Sequence, residues 1–392
     1  MSIGVGMNKK DNHLTRRKFL QTSTFAAAAI GFIPTIQTEK QNQGQKVETK
    51  KILNYNSEMR YRRLGDTDIY FSVLSLGGIG LQRSVAYYAI DHGVNLVHMS
   101  EGYNNGNSIK ELAAVLKEKR DNVYIAFKDS FYDGSPRDID EILKILNTDY
   151  IDFIMFNRHK AKKVKDPKIK ELFQTWKKQG KVRYAGLTTH RQVKKCVEQG
   201  IKGGLYSLIM PVLNQPSFEA LSEELREAQE KRIGIMAMKT MKGVNDRKLQ
   251  IAFLKKVLKN PAVTTINKGF STFEKFDLFL KATKETLTSQ EDFLLYKYAQ
   301  QSRSNNCMMC GECERVCPQH IEISILLRCK AYYYDQLGDP QTAMSTYREI
   351  PAKRRFYDRC DDCKKCEAVC PNGIQIVSRL EETNRFFSFL LV

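Results

Sequence analysis

Asp149-Tyr-Ile-Asp-Phe-Ile-Met-Phe-Asn157 and Gly180-Lys-Val-Arg-Tyr-Ala-Gly-Leu-Thr-Thr-His190 each carry a short apolar run that ends in polar side chains. Runs of this kind recur at Val73–Leu76, Asn95–Met99, Val123–Phe127, Ile151–Phe156, Val182–Leu187, Leu205–Leu213, Gly234–Met238 and Val263–Asn267. Between them, segments such as Ser108–Lys119, Pro136–Leu146 and Phe218–Lys231 place apolar residues three and four apart, the spacing of helices that cover a sheet. Near-continuous apolar strands alternating with amphipathic helices predict a parallel sheet buried on both faces. Eight such units predict a closed (β/α)8 TIM barrel, which takes about 250 residues. An open doubly wound sheet is the second choice, but no Gly-x-Gly-x-x-Gly run follows the first strand.

The chain has 392 residues, enough for a barrel and a small appended domain. Lysine and arginine number 63 against 44 acidic residues, a formal net charge of +19. The lysines are spread along the chain beside acids, as in Lys117-Glu-Lys-Arg120, without a compact basic stripe interleaved with aromatics. A solvated basic surface is expected, not a nucleic-acid-binding one. Mean hydropathy is −0.45. No run approaches the roughly 18 apolar residues of a membrane span, so a multi-pass membrane protein is not expected.

Residues 15–21 read Thr-Arg-Arg-Lys-Phe-Leu-Gln, and the apolar stretch Phe25–Ile33 follows, then Pro34. A charged region before a short apolar core is the pattern of a signal peptide. Paired arginines followed by Phe-Leu resemble the twin-arginine export signal. Export to the periplasm or another extracytoplasmic space is expected; cleavage and retention as a membrane anchor both stay open. The predicted organisation is a signal over 1–36, a polar linker over 37–58, the barrel over 59–288 and an α-rich iron–sulfur domain over 289–392.

That last domain rests on cysteine. Of ten cysteines, nine lie between positions 307 and 370. They include Cys307-x2-Cys310-x2-Cys313-x3-Cys317-Pro318 and Cys360-x2-Cys363-x2-Cys366-x3-Cys370-Pro371, the bacterial ferredoxin run written twice. A [4Fe–4S] cubane needs four thiolates, and in such pairs the fourth cysteine of each run serves the other cluster. Cys307, Cys310, Cys313 and Cys370 are assigned to one cluster, and Cys360, Cys363, Cys366 and Cys317 to the other. The helical patterns Ser324–Leu337 and Gln341–Arg348 lie between the runs. Tyr332-Tyr-Tyr334 is expected to pack against the barrel or the clusters, and Cys329 and Cys196 to be core residues.

In barrels, chemistry gathers where strands end. Those ends give His98, Tyr103, Lys128, Asn157, Thr188, Thr189, His190, Asn214, Lys239 and Lys268. A mouth lined by three lysines would attract an anion, such as a phosphate-bearing cofactor or a carboxylate. The plainer alternative is that these lysines snorkel into solvent.

At these positions the chain resembles the aldo-keto reductases. The resemblance is carried by Tyr61-Arg-Arg-Leu-Gly65, Leu74-Ser-Leu-Gly-Gly78, Asn95 to Tyr103, Ser108-Ile-Lys-Glu111, Val123 to Lys128, Asp149-Tyr-Ile-Asp152 and Gly180 to Gly186, in order. It extends to the subset with a C-terminal ferredoxin-like extension. The resemblance implies hydride transfer between NADP(H) or NAD(H) and a carbonyl. A tyrosine acts as general acid beside a lysine, an aspartate pairs that lysine, and a histidine orients the carbonyl. Tyr103 and Lys128 hold the first two positions. His98 stands at the aspartate position and Asn157 at the histidine position, so two of four depart. Thr188 and Thr189 stand where the family has a Ser-Asn pair on the nicotinamide, and Met210 where a glutamine is usual. Lys239 and Lys268 complete the cofactor-binding set, without the arginine often used for a 2′-phosphate. The expected function is an exported oxidoreductase. It would couple a barrel-mouth site acting on a small molecule to electron transfer with a redox partner protein. The alternative is an electron-transfer or binding subunit with a catalytically degenerate barrel.

Overall fold

The computed structural model describes residues 49–129, 138–241, 244, 246–336, 338–355 and 360–391. The export signal and most of the linker lie outside the described residues. No described helix is long and apolar enough to cross a membrane.

The barrel is closed by eight parallel strands. They are β3 (Leu74–Gly77), β4 (Leu96–Met99), β5 (Tyr124–Lys128), β6 (Ile151–Asn157), β7 (Val182–Thr189), β8 (Leu208–Pro211), β9 (Gly234–Met238) and β10 (Val263–Lys268). The order is β10-β3-β4-β5-β6-β7-β8-β9, so sequence neighbours pair and the last strand meets the first. Closure leaves no free edge. A short antiparallel hairpin, β1 (Tyr61–Arg63) with β2 (Tyr70–Ser72), precedes the barrel. Phe71 is fully buried and sets its ring edge-on to Phe153 and Tyr124, 5.5 and 5.6 Å away. Both partners lie near the starts of their strands, so the hairpin plugs the N-terminal end. Asn95 ties it there: its Oδ1 accepts from the Ser72 N–H (2.8 Å) and its Nδ2 donates to the Tyr70 carbonyl (2.8 Å).

The outer helices follow the predicted spacing with local differences. The stretch read as one helix over 218–231 is two, Gln215–Ala220 and Ser222–Glu230, and the first starts early because Asn214 and Ser217 form a capping box. Asn214 therefore has a structural role. The helix read from Pro136 is described from Ile139, with the Asp138 side chain capping it; its predicted start lies outside the described residues.

The C-terminal segment lies on the barrel's strand-end face. Arg191, two residues past β7, forms ion pairs with both Glu314 and Glu322, and all three side chains are buried. Glu314 also accepts from the Ser324 N–H (2.9 Å) and hydroxyl (2.7 Å), and Arg354 bonds Glu322 (3.0 Å). Lys195 pairs with Glu312 (3.0 Å). Met309 and Cys307 pack into the barrel's hydrophobic core. Cys196 and Cys329 are fully buried, as their core reading requires. The predicted helix over 324–337 is α-helical only over Ile323–Arg328 and then widens to a π-helix over Cys329–Gln336. In π geometry, residues five apart lie one turn apart, which stacks Arg328 over Tyr333 at 5.4 Å.

Removing one partner of a buried charge cluster leaves the others uncompensated, at a cost of about 3–5 kcal/mol. Arg191→Met is expected to lose stability of that order in urea unfolding of the full chain. A loss below about 1 kcal/mol, the worth of a surface pair, would show that this cluster does not clamp the two parts together.

Candidate functional site

The ends of β4 and β5 bring three of the sequence-selected residues together. The Lys128 ammonium lies 4.9 Å from the centroid of the Tyr103 ring, and the His98 ring lies 6.0 Å from it. All three are nearly fully buried. Tyr103 opens a 3-10 turn, Tyr103–Gly106, just past β4, and the tail helix Pro340–Glu349 lies beside that turn. β3 approaches closely enough that a Cβ at Gly78 would meet the His98 carbonyl oxygen at 2.7 Å, which accounts for glycine there.

Burial, helped by the Lys128 charge, pushes the His98 imidazole down to about 3. His98 is therefore neutral across ordinary pH, a hydrogen-bonding group and not a proton carrier. Its Nε2 is buried with no hydrogen-bond partner among the described residues. His190 is also held well below the usual histidine range, by burial first and then by Lys239, Arg328, His159 and Lys128.

Asn157 ends β6. Its N–H donates to Asp129 Oδ1 (2.8 Å), and Arg158 bridges Asp129 Oδ2 and the Asn157 carbonyl, each at 2.9 Å. The His190 N–H donates to His159 Nδ1 (3.2 Å), with the rings 5.5 Å apart. Asp129 and Arg158 directly follow the strand ends Lys128 and Asn157, and His159 lies two residues past Asn157, yet none of the three carries a sequence signal of its own.

The proposed nicotinamide positions behave differently from one another. The Thr188 hydroxyl is buried without a partner among the described residues. The Thr189 hydroxyl donates to the Arg191 carbonyl (3.0 Å), and Met210 is buried inside β8. Lys239 directly follows β9 in the left-handed region (φ 56°), and its ammonium lies 5.4 Å from the Tyr333 ring. Lys268 instead sits over Phe279 at 4.7 Å, where burial, then Lys275, lowers it to about 8. The donor pair for a nicotinamide amide is thus reduced to Thr188.

In the tail, the four cysteines Cys307, Cys310, Cys313 and Cys370 line one pocket with Leu327 and Ile374. Cys317, Cys360, Cys363 and Cys366 line a second with Ile321 and Leu380. These are the two sets read from the sequence, fourth cysteines exchanged. Hydrogen bonds between the runs make the exchange: Arg303 to the Pro371 carbonyl (2.6 Å), Asn372 to the Asn306 carbonyl (2.6 Å), and Gln319 to Asp361 (2.8 Å). The halves repeat with one offset. Glu314 receives the Ser324 N–H, and Glu367 receives the Val377 N–H, both at 2.9 Å. The Met309 N–H reaches Cys307 Sγ at 3.3 Å. Burial pushes the Cys313 thiol far up and Cys366 to about 11. Among the described residues, no three His, Cys, Asp or Glu converge on a single ion. A cubane makes a different demand, because each of its four irons takes one thiolate. Two pockets of four cysteines with apolar walls fit that demand.

The family model for the aldo/keto reductase family matches residues 82–291, more than half of the chain. Among solved structures, the chain is similar to aldo-keto reductase AKR11C1 from Bacillus halodurans in its holo form. The identity is 20% and the TM-score 0.52, over 61% of this chain and 96% of that one. It is also similar to the structure of PA4992 from Pseudomonas aeruginosa, at 21% identity and TM-score 0.49, over 57% of this chain and 94% of that one. At 20% identity the likeness to the Bacillus halodurans structure speaks to fold alone. Comparison with curated proteins gives no match.

The His98 environment sets a pH dependence. Below 6.5 the unfolded chain takes up a proton that the folded chain refuses until about 3, so stability falls as pH drops through that window. The loss attributable to this group is about 2 kcal/mol by pH 5. His98→Gln is expected to show a shallower decline between pH 7 and 5 in urea unfolding. Parallel profiles for the two proteins would show that the imidazole is not held neutral.

Proposed function

The chain belongs to the aldo/keto reductase family, and from that premise we propose that it is an exported iron–sulfur oxidoreductase. In this reading the barrel mouth carries redox chemistry on a small molecule and exchanges electrons with a partner protein through two [4Fe–4S] clusters. The observation that carries the reading is the pair of four-cysteine pockets, which match the ligand sets of the doubled run. Bound there, two cubanes would store and release single electrons.

The chain's own residues give this arrangement a direction. Cys307 packs against the barrel core, whereas Cys363 is exposed. The first pocket therefore faces the barrel and the second faces solvent, where a partner would dock. At the mouth, the Lys128 ammonium lies 4.9 Å from the centroid of the Tyr103 ring, the tyrosine–lysine pair of the family pattern. Tyr103 Oη is the group that would hold or release a proton. Asn157 can orient a carbonyl through its amide but cannot carry a proton.

A second reading, an electron-transfer or binding subunit with a catalytically degenerate barrel, is favoured by the neutral His98 and by Asn157. It predicts no turnover across a carbonyl panel and co-purification with a redox partner. Export by the twin-arginine route is supported by Arg16-Arg17 and the apolar stretch after it.

Anaerobically prepared protein is expected to hold about eight irons and eight acid-labile sulfides, and Cys310→Ala and Cys363→Ala each about half. Protein without iron or sulfide would overturn the cluster reading. NADPH and NADH should then be titrated against the loaded protein. If neither binds nor bleaches the cluster absorbance, the nicotinamide component is removed. Replacing Arg16 and Arg17 with lysine is expected to hold the protein in the cytoplasm, as read by fractionation.

A further inference from the structure

We propose that the lysine-rich outer face formed by residues 160–181 is a docking surface for an anionic lipid bilayer, to which it holds the chain by electrostatic attraction. This goes beyond the proposed function and depends on neither the clusters nor the barrel-mouth site.

Residues 160–181 carry nine lysines against two acids, more than a third of the chain's net charge of +19. They join the end of β6 to the start of β7, so they run the full height of the barrel wall. The helix Pro167–Lys178 buries Ile169, Phe173 and Trp176 and turns Lys168, Lys170, Lys177 and Lys178 outward. Trp176 stacks on Phe156 of β6 with ring centroids 6.5 Å apart, which fixes that orientation. The short helix before it, Ala161–Val164, adds the exposed Lys162 and Lys163. Lys165 follows and lies along the next outer helix, Val193–Gly203, where a Cβ at Gly203 would meet its Cγ at 3.5 Å.

The charge on this face is left uncompensated. On the neighbouring helix, Lys194, Lys195 and Lys202 pair with Glu224, Glu312 and Glu198. On the face itself, Lys163 pairs with Asp166 (3.7 Å) and Lys181 with Asp140 (2.6 Å). Lys162, Lys165, Lys168, Lys170 and Lys178 have no ion pair among the described residues. Asp166 is further occupied in capping the helix, where it accepts from the Lys168 N–H (3.1 Å). The composition of the face selects the partner. No large apolar side chain is exposed on it. It therefore lacks the aromatic anchors of a protein interface, where lysine is depleted, and the stacking platform that single-stranded nucleic acid needs. All nine cations are lysines. Arginine's planar fork suits bidentate grip on one carboxylate or phosphate, whereas lysine is a solvated point charge on a flexible stem. A cluster of such charges fits the diffuse negative layer of anionic headgroups.

The test is cosedimentation of the full, cluster-loaded chain with vesicles of phosphatidylcholine alone, or of phosphatidylcholine mixed with phosphatidylglycerol. Binding to the mixed vesicles is expected, and it should weaken as salt rises. Replacing Lys162, Lys168, Lys170 and Lys178 together with glutamine should weaken it about tenfold or more. The same replacement at Lys110, Lys117, Lys259 and Lys281, exposed on other outer helices, should cost far less. The two variants have equal net charge, so equal losses would mean that only total charge matters and would overturn the surface. Unchanged binding in the first variant would overturn it too. So would equal binding to both kinds of vesicle, which would assign attachment to the apolar stretch Phe25–Ile33. Polyglutamate serves as the acidic-polypeptide probe. If it binds through the same four lysines while the mixed vesicles do not, the face belongs to an acidic protein and the lipid assignment falls.

Discussion

The buried charge cluster of Arg191 with Glu314 and Glu322 is the interaction on which the arrangement of the molecule depends. Charges out of water are tolerated only when paired and hydrogen-bonded, so this contact allows one relative position of its three backbones. Those backbones matter individually. Arg191 follows Thr188, Thr189 and His190 at the end of β7, Glu314 follows Cys313, and Glu322 directly precedes the helix that leads to Arg328 and Tyr333. One guanidinium thus fixes the cysteine loop, the tail helix and the barrel mouth against each other. Ser324 and Arg354 satisfy further oxygens of the two carboxylates.

The tail is internally repeated, yet its halves face different surroundings. Glu314 and Glu367 occupy equivalent places, each taking an amide ten residues on. Glu314 additionally turns toward the barrel through Arg191, and its half packs against the barrel core. In the other half, Cys363 and the neighbouring Asp361 and Lys364 are exposed. A symmetric cysteine framework has become directional because a single residue in the barrel recognises one copy.

The strands were legible because a buried parallel strand needs an unbroken apolar run, and each predicted run agrees with an observed strand to within a few residues. Strand ends were legible for the same reason, which is how Tyr103, Lys128, His98 and Asn157 could be selected. The doubled cysteine run was legible from its spacing, and its two groups of four line two separate pockets. The capping and mouth roles of particular residues were less accessible. Asn214 reads as a strand-end polar residue and proves to be a helix cap, since capping depends on Ser217 three residues later. Arg328 carries no local signal at all. It stacks over Tyr333, five positions on, because the helix changes from α to π directly after it, and that change leaves no periodicity in the sequence.

The substitution at His98 has an electrostatic consequence. In the family pattern a carboxylate stands beside the lysine, and here a neutral imidazole does, with His190 neutral as well. Exchanging an anion for a neutral group leaves Lys128 without the carboxylate that the family pattern places beside it. A buried positive charge stabilises negative charge as it develops and needs no reorganisation to do so. It also disfavours protonating the histidines, which leaves Tyr103 as the proton-bearing group closest to Lys128. The mouth is thus better furnished to hold added negative charge than to shuttle protons. In the function proposed above, that property would suit a site supplied with single electrons, whereas a site built around hydride and proton delivery would keep the carboxylate.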